Sequence, residues 1–238
     1  MIPKMIHYCW FGGKPKPKLA EKCIASWKKH CPDYQIIEWN ESNFDIDGCD
    51  YTKFCYEHKR YAYLSDFVRL WAVEQMGGIY FDTDVELVTA PDALLENGAF
   101  FGFECAEFIN TGLGFGAEAG HWTVTEMLNA YREKTTEELQ ESLDGYNCLT
   151  GSPKMNTYAM TPRGLVQNGE MQRIEDAVFL PLDYLCPFDD QTGELNCTGN
   201  TISIHWYGKS ANTRYSAIRS RLLRPIKRLI KRIRRGNR

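Results

Sequence analysis

No stretch of this chain approaches the roughly twenty apolar residues that a helix needs to span a bilayer. The opening MIPKMIHYCWFGG has no long apolar region, so a secretory leader is not expected. There is no C-x-x-C pair. The nine cysteines are an odd number scattered among apolar neighbours, which suits neither a zinc site nor a disulfide framework. Reduced, partly buried thiols in a cytosol are expected instead. Repeats and low-complexity linkers are absent. So are acids in residues 214–238, which hold eleven Lys and Arg. Residues 1–213 therefore carry 17 Lys and Arg against 31 Asp and Glu, a balance of −14. An acidic body does not suggest a nucleic-acid binder throughout. A basic tail implies an anionic partner of its own.

The segment RYAYLSDFVRLWAVEQMGGIYFDTDVELV, residues 60–88, is the most informative part of what is there. It reads as a helix over Tyr61–Met76, a Gly77-Gly78 stop, an apolar strand Ile79–Phe81, and then Asp82-Thr83-Asp84. A lone D-x-D is ordinarily a solvated turn. At the end of a buried strand, however, two carboxylates repel each other and lose hydration. A divalent cation removes both penalties. Mg²⁺ and Mn²⁺ take carboxylate oxygens and commonly keep a phosphate as co-ligand. The pattern predicts a metal–phosphate site.

The preceding helix is apolar almost all round, as a buried helix is. Asp66 and Arg69 nevertheless sit in it three residues apart, on one face with Ala62 and Ser65. Two readings stand: a structural ion pair, or a polar stripe facing a ligand.

The blocks MIHYCWFGG, SWKKHCPDYQIIEWNESNF and YLSDFVRLWAVEQMGGIYFDTDVELV resemble glycosyltransferase family 32, which includes capsular-polysaccharide sugar transferases and yeast-type initiating mannosyltransferases. They are also similar to the glucosyltransferase domain of large clostridial toxins. The likeness is specific over residues 2–115 and returns at ISIHWYGKS, residues 202–210. It implies a GT-A nucleotide-sugar fold, an Mn²⁺ or Mg²⁺ ion, a nucleotide-sugar donor and a saccharide or lipid-linked saccharide acceptor. It implies Asp84 on the metal, Asp82 on the ribose and the metal, and Asp66 and Arg69 on the donor sugar. His205 in H-x-x-G-K would complete the ligands, with Trp206 and Lys209 near the diphosphate. Trp10, just ahead of Gly12-Gly13, is either a core tryptophan or a platform for the donor's nucleobase, with Gly12 allowing close backbone approach. Asn110 resembles a position near donor sugar or acceptor. Gly112, Gly114 and Gly116 do not make a dinucleotide loop, because they follow no strand-to-helix turn with phosphate spacing.

The remaining pattern reads as strands at Lys4–Cys9, Tyr34–Trp39, Val85–Val88, Ala99–Phe103, Gly112–Phe115, Val178–Leu180 and Thr201–His205. Helices are read at Lys18–His30 and His121–Glu133. Glu41–Tyr51 reads as turn-rich and Asp144–Gly169 as irregular. The β-α-β opening predicts an α/β fold, a mainly parallel sheet with helices on both faces.

An apolar strand followed by D-T-D-V also matches haloacid-dehalogenase-type Mg²⁺ phosphatases, with Asp82 as nucleophile. That motif normally opens its domain, and Asp189-Asp190 lacks the glycine-acid spacing expected of the partner cluster. The preferred reading is a metal-dependent retaining hexosyltransferase using a uridine diphosphate sugar in bacterial surface polysaccharide synthesis. Residues 1–212 would form the catalytic domain and residues 213–238 a basic amphipathic tail. In the tail Ile218, Leu222, Ile226, Leu229, Ile230 and Ile233 recur at steps of three and four. Such a helix lies on an anionic membrane surface or packs on the acidic body. The first option makes the protein cytoplasmic and peripheral at the inner face of the plasma membrane.

Overall fold

The computed structural model describes residues 1–135, 137–139, 151–208 and 224–225. The strands are β1 (Met5–Cys9), β2 (Gln35–Trp39), β3 (Gly78–Tyr80), β4 (Val85–Leu87), β5 (Ala99–Gly102), β6 (Phe115–Ala117), β7 (Gln172–Ile174), β8 (Ala177–Leu180), β9 (Phe188–Asp189), β10 (Glu194–Leu195) and β11 (Ser203–His205). The α-helices are α1 (Lys18–His30), α2 (Asp50–Glu57), α3 (Tyr61–Met76), α4 (Trp122–Arg132), α5 (Ser152–Met160) and α6 (Leu182–Leu185).

Among the described residues the main sheet has seven strands in the order β2-β1-β3-β6-β5-β8-β7. The β1–β2, β1–β3 and β5–β8 pairs are parallel, and β6 and β7 run against the rest. The sheet is therefore mainly parallel, and β1, β3 and β5 all end at one edge. A separate antiparallel pair joins β4 to β11.

Alternation along each strand divides the core in two. Tyr80, Phe101, Phe115 and Phe179 pack on one face with Leu64, Phe67, Val68 and Leu128 of the α3–α4 side. Ile6, Ile79, Phe81 and Phe100 face the other way, against Trp27 and Cys23 of α1. Helices cover both faces, as the pattern predicts. Helix α3 is buried through Leu64, Phe67, Val68, Leu70, Ala72 and Val73. It stops at Gly77, whose φ of 66° suits a residue without a Cβ.

Some expectations are corrected. The polar stretch Glu41–Tyr51 contains the start of α2, whose Tyr51, Thr52, Phe54 and Cys55 are buried along one face. The Gly112–Phe115 strand begins only at Phe115, because Leu113 N–H bonds to Asn110 O and holds the preceding residues in a turn. Within Asp144–Gly169, residues 152–160 form α5, with Pro153 in the first turn where a missing N–H costs nothing. The short strands β7, β9 and β10 give no legible alternation. Cysteines 9, 23, 31, 55 and 186 are buried free thiols. The tail at 213–238 lies outside the described residues apart from Arg224 and Pro225. Arg224 Nη2 lies 3.0 Å from Asp190 Oδ1, and its guanidinium stands 5.6 Å from the Phe188 ring centre.

Candidate active site at the strand edge

The site forms where β1, β3 and β5 end, the edge at which open α/β sheets place ligands. Tyr80 and Asp82 lie two residues apart and turn to the same face, towards α3. Asp82 Oδ1 accepts from Tyr80 OH and from Arg69 Nη2, both at 2.9 Å. Arg69 Nη2 also lies 3.1 Å from Asp66 Oδ1. Arg69 thus bridges two carboxylates while its guanidinium stands 5.0 Å from the Tyr80 ring centre. The structure shows the ion-pair reading, and the pair lies against Asp82 of the candidate site.

A turn closed by Val85 N–H to Asp82 O, at 3.0 Å, carries the chain from Asp82 to β4. There β11 pairs antiparallel with β4 and sets His205 opposite Val85. That register brings His205 Nε2 to 3.2 Å from Asp84 Oδ1. Gly208 N–H donates to Asp84 Oδ2 at 2.6 Å. One ligand atom from each of Asp82, Asp84 and His205 lies within 4.8 Å of the others.

The electrostatics favour an added cation. Burial pushes the Asp82 carboxyl above its ordinary range, against the opposing pull of Arg69, and Asp84 adds to the rise. Burial works on Asp84 in the same sense, but His205 and the Gly208 N–H outweigh it and hold that carboxyl below its usual range. Burial lowers His205, and Asp84 more than reverses this, so the imidazole is raised. Burial lifts Asp66 to about 7 in spite of Arg69. His205 Nδ1 is buried with no hydrogen-bond partner among the described residues. Two carboxylate groups and an imidazole, one of whose nitrogens is buried and unsatisfied, are a donor set that fits Mn²⁺ or Mg²⁺.

The other expected residues separate. Trp10 and Gly12 follow β1 at the same edge. Trp10 is half-buried, donates from Nε1 to Lys14 O at 2.6 Å, and has Lys16 Nζ 5.7 Å from its ring centre. A Cβ at Gly12 would stand 2.5 Å from the Tyr61 ring, so that glycine serves packing as well as any ligand. Asn110 reaches the centre through Gly112, whose N–H donates to Asn110 Oδ1 at 2.7 Å. Trp206 points its indole N–H at Glu86 Oε2, 2.8 Å away, and packs on Phe188. The indole N–H is thus already engaged. Lys209 lies outside the described residues.

Sequence reasoning missed a buried polar network behind Arg69. Its Nη1 lies 3.3 Å from Thr111 Oγ1 and 3.5 Å from Ser152 Oγ. Asn156 Nδ2 donates to both hydroxyls, at 3.0 and 3.1 Å. The i, i+4 spacing of Ser152 and Asn156 on α5 was the available signal. Glu104 was missed as well. It accepts from Asn110 Nδ2 at 2.8 Å, and burial raises its carboxyl.

The fold is of the GT-A type, with the D-x-D at its strand edge. Residues 17–101 match the family described as a glycosyltransferase sugar-binding region containing a DXD motif. The matched stretch contains the D-x-D of Asp82 and Asp84. Over 107 residues, 42% of this chain, it is 33% identical to inositol phosphoceramide mannosyltransferase 3 of Schizosaccharomyces pombe. The match spans only 29% of that relative's length. The solved structure of PaToxG Glycosyltransferase superposes with a TM-score of 0.54 at 18% identity, over 68% of this chain and 69% of that one.

Proposed function

We propose that this protein is a metal-dependent, retaining glycosyltransferase. It moves a hexose from a nucleotide-sugar donor, a uridine diphosphate sugar, to a saccharide or lipid-linked saccharide acceptor in bacterial surface polysaccharide synthesis. The observation that carries the reading is the convergence of Asp82, Asp84 and His205 at the sheet edge, with Arg69 fixed beside them. Those three residues would hold Mn²⁺ or Mg²⁺. When bound, the ion supplies Lewis-acid stabilisation of charge on the leaving diphosphate.

The chain's own groups do the rest. Asp84 is held ionised by His205 and Gly208, ready as an oxygen ligand. Asp82 is oriented by Tyr80 and Arg69. Asp66 and Arg69 present an acceptor and donors suited to sugar hydroxyls. Trp10, which follows β1 at the same edge, is the platform assigned to the nucleobase, with Gly12 permitting close backbone approach. Trp206 and Lys209 belong to the segment assigned to the diphosphate. Retention of configuration, the uridine nucleotide and the polysaccharide role rest on the family resemblance alone.

The catalytic domain is residues 1–212. The tail, residues 213–238, attaches it to the anionic inner face of the plasma membrane, where a lipid-linked acceptor is found. The phosphatase alternative is weaker, because the D-x-D lies about eighty residues into the chain and Asp189-Asp190 lacks the glycine-acid spacing of the partner cluster. The test is a panel of nucleotide sugars with Mn²⁺. Release of a nucleoside diphosphate from one donor, slow with water and faster with an acceptor, is expected. No release from any donor, or a trapped phospho-Asp82 with inorganic phosphate from simple monoesters, sinks the reading.

A further inference from the structure

We propose that Glu104 touches the sugar in transit and is a catalytic, specificity-determining residue of this site. The proposal rests on the glycosyltransferase reading above.

Its position follows from topology. β3 and β5 run in the same direction with only β6 between them, so the loops leaving them share one edge. Asp82 and Asp84 leave β3 there, and Glu104 leaves β5. The loop after β5 is closed on itself. Phe103 bridges Ile109, Glu104 N–H donates to Phe108 O at 2.9 Å, and Asn110 N–H to Gly102 O at 3.0 Å. A loop held this way fixes its side chains as a ligand site requires.

The link to the metal-type centre is continuous. Asn110 Nδ2 donates to Glu104 Oε2, and Asn110 Oδ1 accepts from Gly112 N–H. Gly112 is packed so tightly on Asp82 that an added Cβ would collide with its carboxylate. Glu104 also lies close enough for its charge to act on His205.

The carboxylate itself is under-used. Only Oε2 has a hydrogen-bond partner among the described residues, and no cation among them lies within ion-pair distance. A half-buried carboxylate with no cation at ion-pair distance is costly without compensation. Bracing Asn110 needs one oxygen and no negative charge. Hydroxyl donors satisfy the other oxygen, and a hexose in the cleft brings several. Asp66 and Arg69 meet the sugar from the α3 side, and Glu104 would meet it from the β5 side.

The test uses the full chain with Mn²⁺ and the variants Glu104→Gln and Glu104→Ala. Gln keeps the shape and can still accept from Asn110, so the fold is preserved. Calorimetry would measure binding of UDP and GDP alone, and of UDP-glucose, UDP-galactose and GDP-mannose. Hydrolysis of the donor that wild type turns over would be measured alongside. Unchanged affinity for the bare nucleotide is expected. Affinity for that donor and its kcat/KM should fall about tenfold or more, as for a lost hydrogen bond to a charged group. Monodeoxy forms of the donor extend the test. One of them should lose as much with wild type, and nothing further with Glu104→Gln. Equal losses for nucleotide and nucleotide sugar would make Glu104 a structural brace and overturn the proposal, as would no loss at all. If wild type turns over none of the donors, the underlying reading fails first, before any variant is made.

Discussion

His205 Nε2 lies 3.2 Å from Asp84 Oδ1 because β11 pairs with β4 in a register that sets His205 opposite Val85. A strand from the far end of the described domain thereby completes a carboxylate pair set by β3. Each partner shifts the other towards its charged form. The two side chains are brought together without an ion, and the raised imidazole would have to give up its proton before it could ligate one.

Asp84→Asn should remove an anionic oxygen ligand with little change in shape. A loss of transfer of about a hundredfold or more is expected, as for removal of a strong electrostatic stabiliser. Excess EDTA should abolish wild-type donor hydrolysis, and Mn²⁺ should restore it. Full activity in EDTA would remove the metal from the mechanism.

Arg69→Met should destabilise the fold as well as silence it. The guanidinium is 5% exposed and is shared by Asp66 and Asp82. Its loss leaves buried Asp66 and half-buried Asp82 without their cation, and stranding a buried charge in this way costs about 3–5 kcal/mol. Arg69→Lys should recover only part, since a point charge cannot span both carboxylates and Thr111 as the guanidinium fork does. Urea unfolding of the three proteins measures this directly. A Met variant as stable as wild type would contradict it.

Gly112→Ala probes close packing at the site. The new methyl would press on the Asp82 carboxylate and approach Asn110 Oδ1 to 3.0 Å. Overpacking of this kind costs about 1–3 kcal/mol. Weaker Mn²⁺ binding should accompany a lower melting temperature. Unchanged metal affinity would mean that Asp82 is not a ligand.

The tail is tested by a chain ending at Asn212. The expectation is that it stays folded, keeps donor hydrolysis and loses binding to anionic liposomes, whereas the full chain binds and is released as salt is raised. One tail residue is already engaged, since Arg224 pairs with Asp190 and stands over Phe188. If the shortened chain unfolds, or the full chain ignores the liposomes at low salt, the tail is a packed structural helix.

Local signals were enough for α1 and α3, whose bounds were legible to the residue. Helical periodicity, a glycine stop and a proline beyond the end act within a few residues of the helix they define. The D-x-D motif was legible for the same reason, because a strand and its final carboxylates are contiguous. Helix α2 was not, since its buried Tyr51, Phe54 and Cys55 are interleaved with polar residues and its neighbours read as turns.

What the sequence determined by itself was the parts of the site: an acidic pair at a strand end and an Asp–Arg pair in a buried helix, with the late histidine implied by the family resemblance. What only the tertiary structure decided was how these meet. Arg69 bridges Asp66 and Asp82 because α3 packs on the face to which Tyr80 and Asp82 point. Glu104 enters because β3 and β5 run the same way on either side of β6. Ser152 and Asn156 back Arg69 because α5 packs beside α4. Each is an ordinary polar residue whose chemistry depends on partners far away in the chain, and such pairings arise from packing and strand register rather than from any local pattern.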